Sequence, residues 1–214
     1  MINKMTKYVL ASGSPRRKEL LTQVGLEFEI QAAQGEEFTT KKLPWEIVEE
    51  LSAQKASEVA SKYNVNLDEK AVIIGADTIV AYGDEIMGKP KDKEDAVRML
   101  TTLQNNVHQV YTGVTLIIAN TGEKITFHEK TDVYMYPMSL SQIEAYVDTG
   151  EPMDKAGDTI CNTQYPWEGK AGGYGIQDAF GKKYIKGISG DYYNVVGLPV
   201  SRLYQELVKL NCIK

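Results

Sequence analysis

Apolar and polar positions along this chain follow two rhythms, strand-like runs and helix-spaced stripes, in rough alternation. Tyr8-Val9-Leu10 is a short apolar run that reads as a strand. Ser14 then suits a helix N-cap and Pro15 the first helical position. Leu20, Leu21 and Val24 form the stripe of that helix, and Gly25 supplies its stop. Glu27-Phe28-Glu29-Ile30 alternates like a short strand. Pro44 to Lys62 reads as a long helix with Trp45, Val48, Leu51, Ala56 and Val59 along one side. Ala71-Val72-Ile73-Ile74 is continuously apolar, as in a central strand buried on both faces. That strand is expected to end in Gly75-Ala76-Asp77-Thr78, with apolar character continuing through Ile79 and Val80.

Beyond it, Tyr82-Gly83-Asp84-Glu85 reads as a hairpin turn, and Asp92 to Leu103 as a helix capped by its aspartate. Val107 to Ala119 and Lys124 to Met135 are long strand-like runs, and Asn120-Thr121-Gly122-Glu123 between them predicts an antiparallel pair. Ser139 to Asp148 predicts a helix, with Gln142 in the capping-box position. A long glycine-rich loop follows, from Thr149 to Gln177; such loops in compact domains are usually functional. Lys182 to Ile188 reads as a strand and Val200 to Leu210 as the last helix. The order predicts an α/β fold, a mixed sheet flanked by helices.

Length adds a bound: 214 residues suit one domain, or one domain with two lobes around a cleft. With 43% apolar and 25% charged residues the chain is an ordinary soluble globular protein. A net charge of −5 argues against duplex nucleic acid as a partner, so an anionic ligand must be held by a local basic cluster. Cys161 and Cys212 have no metal-type spacing and exclude a disulfide framework. No apolar run is long enough to span a bilayer, and the opening residues lack a signal-type core, so the cytoplasm is the expected compartment.

The candidate chemistry clusters in loops and at strand ends. A strand, a small-residue loop and a helix N-terminus make an anion site around Ser12-Gly13-Ser14, because free N–H groups and the helix dipole point at one spot. Arg16 and Arg17 in the first turn oppose that dipole unless something negative sits among them; alone, they would be solvated arginines. Lys55 lies in a small, apolar stretch of its helix, either as a snorkelling lysine or as a phosphate ligand. Lys89 is restrained between Gly88 and Pro90 and is a further phosphate candidate. Asp77 inside an apolar run is costly to bury without a partner. It caps a turn, pairs with a buried lysine, or serves as metal ligand or general base at the end of a central strand. Glu36 and Glu37 add two acids in a loop.

His108 and His128 read as structural, without the companions a zinc site needs. Neither a covalent nucleophile nor a Walker-type phosphate loop is present. Basic groups for a polyphosphate and carboxylates for a divalent cation best serve metal-assisted attack of water on a phosphoryl group. The residues alone thus imply a phosphate-ester or phosphoanhydride hydrolase, with base and cleavage site unspecified.

Five blocks in order resemble the Maf proteins: Ser12-Gly13-Ser14-Pro15-Arg16-Arg17, Gly75-Ala76-Asp77-Thr78-Ile79-Val80, Lys89-Pro90, Lys155-Ala156-Gly157 with Gly173-Tyr174-Gly175-Ile176-Gln177, and Asn194-Val195-Val196-Gly197-Leu198-Pro199. The resemblance implies a nucleoside triphosphate pyrophosphatase that cleaves between the α and β phosphates. It implies a fold shared with the inosine-triphosphate pyrophosphatases, a strongly twisted mixed sheet with helices around it and two lobes around a deep cleft. It makes Asp77 the proton acceptor and places Mg²⁺ or Mn²⁺ on Asp77 and Glu37. Ser12, Ser14, Arg16, Arg17, Lys55 and Lys89 would bind the triphosphate. The arginine after Ser-Pro, Thr78 and Gln177 resemble the dTTP/UTP-selective group; the alternative group acts on 7-methyl-GTP. A Gln amide offers both a donor and an acceptor to a uracil edge, and a single methyl separates uracil from thymine, so acceptance of both, and of 5-modified uridine triphosphates, follows.

The resemblance also implies a homodimer. The family name comes from an effect on septum formation, which leaves a nucleotide-sensing regulator without turnover as a reading from another class. One departure stands out. Asp154-Lys155-Ala156-Gly157 is followed by residues 158–169 before Lys170-Ala171-Gly172 repeats the motif, so an insertion is expected there, and either Lys155 or Lys170 takes the family lysine's place.

Overall fold

The computed structural model describes residues 6–64, 70–149 and 170–213. The described strands form one mixed, seven-stranded sheet in the order β2-β1-β3-β5-β6-β7, with β4 paired to β3. Strand β1 (Thr6–Leu10) lies parallel to β2 (Phe28–Ile30) and to β3 (Lys70–Tyr82). Strand β4 (Glu85–Met87) turns back antiparallel on β3, with Tyr82 opposite Glu85. Gly83 takes the first turn position at φ 57°, a conformation glycine adopts without a steric cost. Strands β5 (Val107–Ile118) and β6 (Lys124–Met135) are neighbours joined by a short turn, which only opposite directions allow. Strand β7 (Ile185–Ser189) is antiparallel to β6. The α/β expectation is met: helices α1 (Pro15–Gln23), α2 (Pro44–Lys62), α3 (Lys93–Leu103), α4 (Leu140–Asp148), α5 (Ala179–Tyr184), α6 (Tyr192–Val196) and α7 (Val200–Lys209) accompany the sheet.

Two expectations about β3 and β7 are corrected. Strand β3 does not end at Gly75-Ala76-Asp77-Thr78 but runs unbroken to Tyr82, which places Asp77 inside it. Pairing with β1 stops at Ile74, and from Val80 onward β4 takes up the ladder, so the strand outlasts its parallel partner. The segment read as one strand from Lys182 is a helical turn, α5, followed by β7. The turn is held by Phe180, 2% exposed, whose ring lies 4.4 Å from Tyr146, 5.9 Å from Tyr174 and 5.1 Å from Tyr184. Helical spacing brings the Phe180 and Tyr184 rings within 5.1 Å, whereas an extended segment would leave them on one face but about 13 Å apart.

By contacts the chain divides into two units. The first comprises Met1–Asp77, Thr112–Glu129 and Gly197–Lys214. Val9, Ala11, Ala56, Val59, Ile73 and Ile117 pack together in it. Helix α2 turns Val48, Leu51, Ser52, Ala56 and Val59 inward, whereas Trp45 in its first turn stays half-exposed. Its backbone rests on two glycines. A Cβ on Gly75 would lie 2.4 Å from the Ser52 carbonyl oxygen, and one on Gly113 would lie 2.2 Å from that of Val48. Only a residue without a side chain fits either seat. The tail is tied in by Tyr8 Oη, which donates to the Cys212 carbonyl at 2.7 Å, and Lys70 Nζ, which donates to that of Leu210 at 2.7 Å.

The second unit comprises Thr78–Tyr111 and Lys130–Val196. Its core gathers Val80, Met87, Leu100, Leu103, Val133, Ile143 and Phe180. The predicted caps are present: Asp92 accepts from the Asp95 backbone N–H, and Ser139 with Gln142 forms a full capping box on α4. Asn194 in α6 is fully buried and donates to the Val110 carbonyl at 3.0 Å and to Thr131 Oγ1 at 2.9 Å.

Candidate active site

The loop after β1 is fastened to the neighbouring strand by Ala11 N–H, which donates to the Ile74 carbonyl at 2.8 Å. Ser12 Oγ then accepts from the Ser14 N–H at 3.2 Å and from Arg17 Nη1 at 3.0 Å. Ser14 occupies the N-cap of α1 in extended backbone, but its side chain makes no cap bond. No acidic residue stands in the first turn of α1, so this positive helix end has no side-chain anion of its own. Arg17 is buried, and its Nε donates to the Gly197 carbonyl at 2.8 Å. Burial pulls the Arg17 pKa down from its usual value; the negative charges of Asp77 and Glu37 oppose that, and the Arg16 charge adds to it. Arg16, Glu37 and Asp77 therefore each lie within electrostatic reach of Arg17.

Lys55 joins the acids. Its ammonium sits 2.5 Å from Asp77 Oδ1 and 3.0 Å from Glu37 Oε1. Asp77 is 8% exposed, whereas the Glu37 side chain is half-exposed. The glycine seat under Ser52 brings α2 against β3, and Lys55, one turn further along the helix, meets Asp77 two residues beyond Gly75. The buried Asp–Lys pair, one of the alternatives left by the sequence, is present. The loop carrying Glu37 is anchored by Glu58, whose carboxylate accepts from the backbone N–H groups of Gln34 at 3.1 Å and Gly35 at 3.0 Å. The hydrogen bond from Lys62, with these two, holds the Glu58 pKa down at about 2. Together Ala33, Gly35, Glu36, Glu37, Gln54, Lys55 and Glu58 line a small recess of about 40 Å³.

Asp77 and Glu37 converge on a single positive centre, and carboxylate oxygens are hard donors suited to Mg²⁺ or Mn²⁺. The donor set fits a divalent cation. Among the described residues no group of three or more acidic, histidine or cysteine side chains forms a complete cage. A cation here would take phosphate oxygens and water as its other ligands.

The remaining candidates belong to the second unit. Thr78 follows Asp77 on β3 and is half-buried; Lys89 is exposed; Gln177 is half-buried. The Gly172 N–H donates to the Gly88 carbonyl at 3.0 Å, tying the glycine-rich loop to the segment that carries Lys89. Lys170 is 5% exposed and ion-paired with Asp178. Lys155 and the expected insertion at 158–169 lie outside the described residues. Both histidines have structural partners: His108 Nε2 meets Tyr174 Oη at 2.6 Å, and His128 Nδ1 meets Glu49 Oε1 at 2.7 Å. Sequence reasoning did not single out Gly197 and Glu58. Gly197 acts through its carbonyl, which carries no side-chain signature, and Glu58 looks like any solvated helix glutamate.

A Maf-like protein family model matches residues 7–210. The chain belongs to the Maf family. Relatives of this Maf protein are named dTTP/UTP pyrophosphatase. The one from Agathobacter rectalis is 51% identical, covering 96% of this chain and 98% of its own. The one from Lachnoclostridium phytofermentans is 44% identical, with coverage of 96% and 95%. The one from Bacillus anthracis is 44% identical, with 97% of each chain covered. A solved structure of the Staphylococcus aureus Ham1 protein aligns with 60% of this Maf chain and 71% of its own, at 13% identity and a TM-score of 0.41.

Proposed function

We propose that this Maf protein hydrolyses dTTP and UTP to the monophosphate and pyrophosphate. The observation that carries the reading is the junction of Lys55 with Asp77 and Glu37, within electrostatic reach of the buried Arg17. It combines cationic groups for a polyphosphate with carboxylates for a proton and a cation. The names of the relatives, matched over nearly the full chain, support the substrate class.

In this reading Arg16, Arg17, Lys55, Lys89 and the N–H groups around Ser12 and Ser14 hold the triphosphate and offset its charge. Asp77 takes a proton from water as the water oxygen bonds to the α phosphorus. The bond from that phosphorus to the oxygen bridging to the β phosphate breaks, and pyrophosphate leaves with the electron pair. Mg²⁺ or Mn²⁺, held by Asp77 and Glu37, would polarise the phosphate and offset developing charge. Thr78 and Gln177 are assigned to substrate selection, the Gln177 amide pairing with the uracil edge. A homodimer is part of the same proposal, as is a role in clearing surplus or modified pyrimidine triphosphates.

Product analysis tests it. UTP, dTTP, 7-methyl-GTP and ITP are incubated with Mg²⁺ or Mn²⁺, and the phosphorus products are resolved. UMP or dTMP with pyrophosphate is expected. Orthophosphate with a diphosphate would overturn the cleavage site. Preference for 7-methyl-GTP would move the chain to the other group, and UTP binding without turnover would make it a sensor.

A further inference from the structure

Gln177 sits on a short bridge, residues 175–177, and each end of that bridge is locked by a buried polar pair. At one end Tyr174 is 5% exposed, and its hydroxyl meets His108 Nε2 at 2.6 Å, with the rings edge-on at 5.4 Å. At the other end Asp178 forms an ion pair with Lys170, itself 5% exposed. The backbone between them is braced too. Asp178 N–H donates to the Gly175 carbonyl at 3.3 Å, and Tyr146 Oη donates to the Gly173 carbonyl at 3.2 Å. Helix α5 closes against the bridge at Gly181, where a Cβ would lie 2.3 Å from the Ile176 carbonyl oxygen and 2.6 Å from that of Gly175.

Stability alone does not call for this. A phenylalanine and a leucine of similar size would fill the Tyr174 and His108 positions without burying polar atoms, and replacing both partners of a buried pair is often neutral or stabilising. His108 even carries a second ring nitrogen, Nδ1, buried with no hydrogen-bond partner among the described residues. What a polar pair supplies and an apolar contact does not is a fixed direction. The Tyr174 hydroxyl has one place to be, and the Asp178 carboxylate another, so the backbone between them has a defined path.

We infer that His108–Tyr174 and Lys170–Asp178 are positioning pairs that aim Gln177 at the nucleobase and so set base selectivity. None of the four contacts the reacting phosphates in this account; they act through Gln177. The inference rests on the assignment of Gln177 to the base. Positioning residues of this kind affect ground-state and transition-state binding alike and leave the chemical step in place.

The test uses the full chain in four forms: wild type, Gln177→Leu, His108→Leu with Tyr174→Phe, and Lys170→Met with Asp178→Asn. Each is assayed for kcat and KM on UTP, CTP and ITP, for thermal unfolding, and for calorimetric binding of α,β-methylene-UTP, which resists cleavage at the relevant bond. The expected result is a KM for UTP raised three- to thirtyfold in both paired variants, with kcat within about threefold of wild type. The ratio of UTP to CTP and ITP efficiency should flatten in the same direction as in Gln177→Leu. Analogue affinity should fall in parallel while the melting temperature of the His108–Tyr174 double variant stays near wild type. If Gln177→Leu changes selectivity and the paired variants do not, the pairs are packing only and the inference falls. If Gln177→Leu leaves selectivity intact, the assignment of Gln177 to the base falls first and takes the inference with it. Should one double variant fail to fold, the other decides alone.

Discussion

The Lys55 ammonium stands 2.5 Å from Asp77 Oδ1, and the two side chains are 15% and 11% exposed. Each compensates for burying the other, and removing either leaves its partner with less compensation, Lys55 keeping Glu37 and Asp77 the charge of Arg17. Asp77→Asn should lower kcat about 10²- to 10⁴-fold, the usual range for a general base, while α,β-methylene-UTP still binds. A double-mutant cycle with Lys55→Met should show a coupling in stability of about 1–2 kcal/mol, measured by denaturant unfolding. Unchanged turnover in Asp77→Asn would remove it from the chemistry.

Arg17 should not tolerate lysine. Its guanidinium bonds Gly197 through Nε and Ser12 through Nη1, two directions from one planar group. A lysine ammonium can follow only one of them. Arg17→Lys should cost about 1.5–3 kcal/mol in unfolding free energy and raise KM for UTP at least tenfold. A variant with wild-type stability and KM would show the fork to be dispensable.

Gly75→Ala should disturb the helix that carries Lys55. The added methyl meets the Ser52 carbonyl oxygen at 2.4 Å and Ala56 Cβ at 2.8 Å, so α2 must move. A loss of about 1–3 kcal/mol is expected, with activity falling further than stability because Lys55 moves with the helix. Heat denaturation and kcat/KM on the same preparation separate the two.

Glu58→Gln should loosen the loop that bears Glu37. Gln34 and Gly35 N–H groups both point at this carboxylate, and Lys62 with them holds its pKa at about 2. The folded pKa lies below the unfolded one, so the stabilisation is present in full above about pH 4.5 and is lost as pH falls towards 2. The variant should need more divalent cation for half-maximal activity, with little change in kcat at saturating cation. Hydrogen exchange at Gln34 and Gly35 should quicken.

His108 acts on the same acid flank of the pH profile, at higher pH. Burial pushes its pKa down to about 4, so the native state keeps the ring neutral while an unfolded chain would protonate it near 6.5. Between those values the unfolded state binds more protons, and stability must fall as pH drops from about 6.5 to about 4. The full window amounts to about 3 kcal/mol. Unfolding of wild type and His108→Leu across that range should show the wild-type slope flattened in the variant.

Much of this structure was legible along the chain. Helix α2 runs from Pro44 to Lys62 as its apolar spacing and initial proline predict, and β6 runs from Lys124 to Met135 as read. Caps were legible for the same reason, since Asp92 and Ser139 act on neighbours a few residues away. What depended on distant partners was not. Gly75 and Asp77 resemble a strand terminus, yet β3 runs extended through them, between the end of its pairing with β1 and the start of its pairing with β4. The start of β7 was misplaced because Phe180 and Tyr184 are as compatible with a strand as with a helical turn, and only Tyr146 and Tyr174 decide between them. In the site, Arg17, Lys55 and Asp77 stood out as charges in unlikely surroundings. Their contacts with Gly197 and with one another are facts of three dimensions.

The bond from Arg17 to the Gly197 carbonyl spans 180 residues and has a consequence in time. A nascent chain emerges from its N-terminus, at roughly 5–20 residues per second. Arg17 is thus made first, and the carbonyl that accepts its Nε hydrogen bond comes some ten to forty seconds later at that pace. Until then the anion loop lacks its far anchor, so a growing or prematurely terminated chain cannot hold the arginine in its final pose. Competence for nucleotide waits for Gly197, and a chain stopped short of it should be catalytically silent even though every proposed substrate contact is already in it.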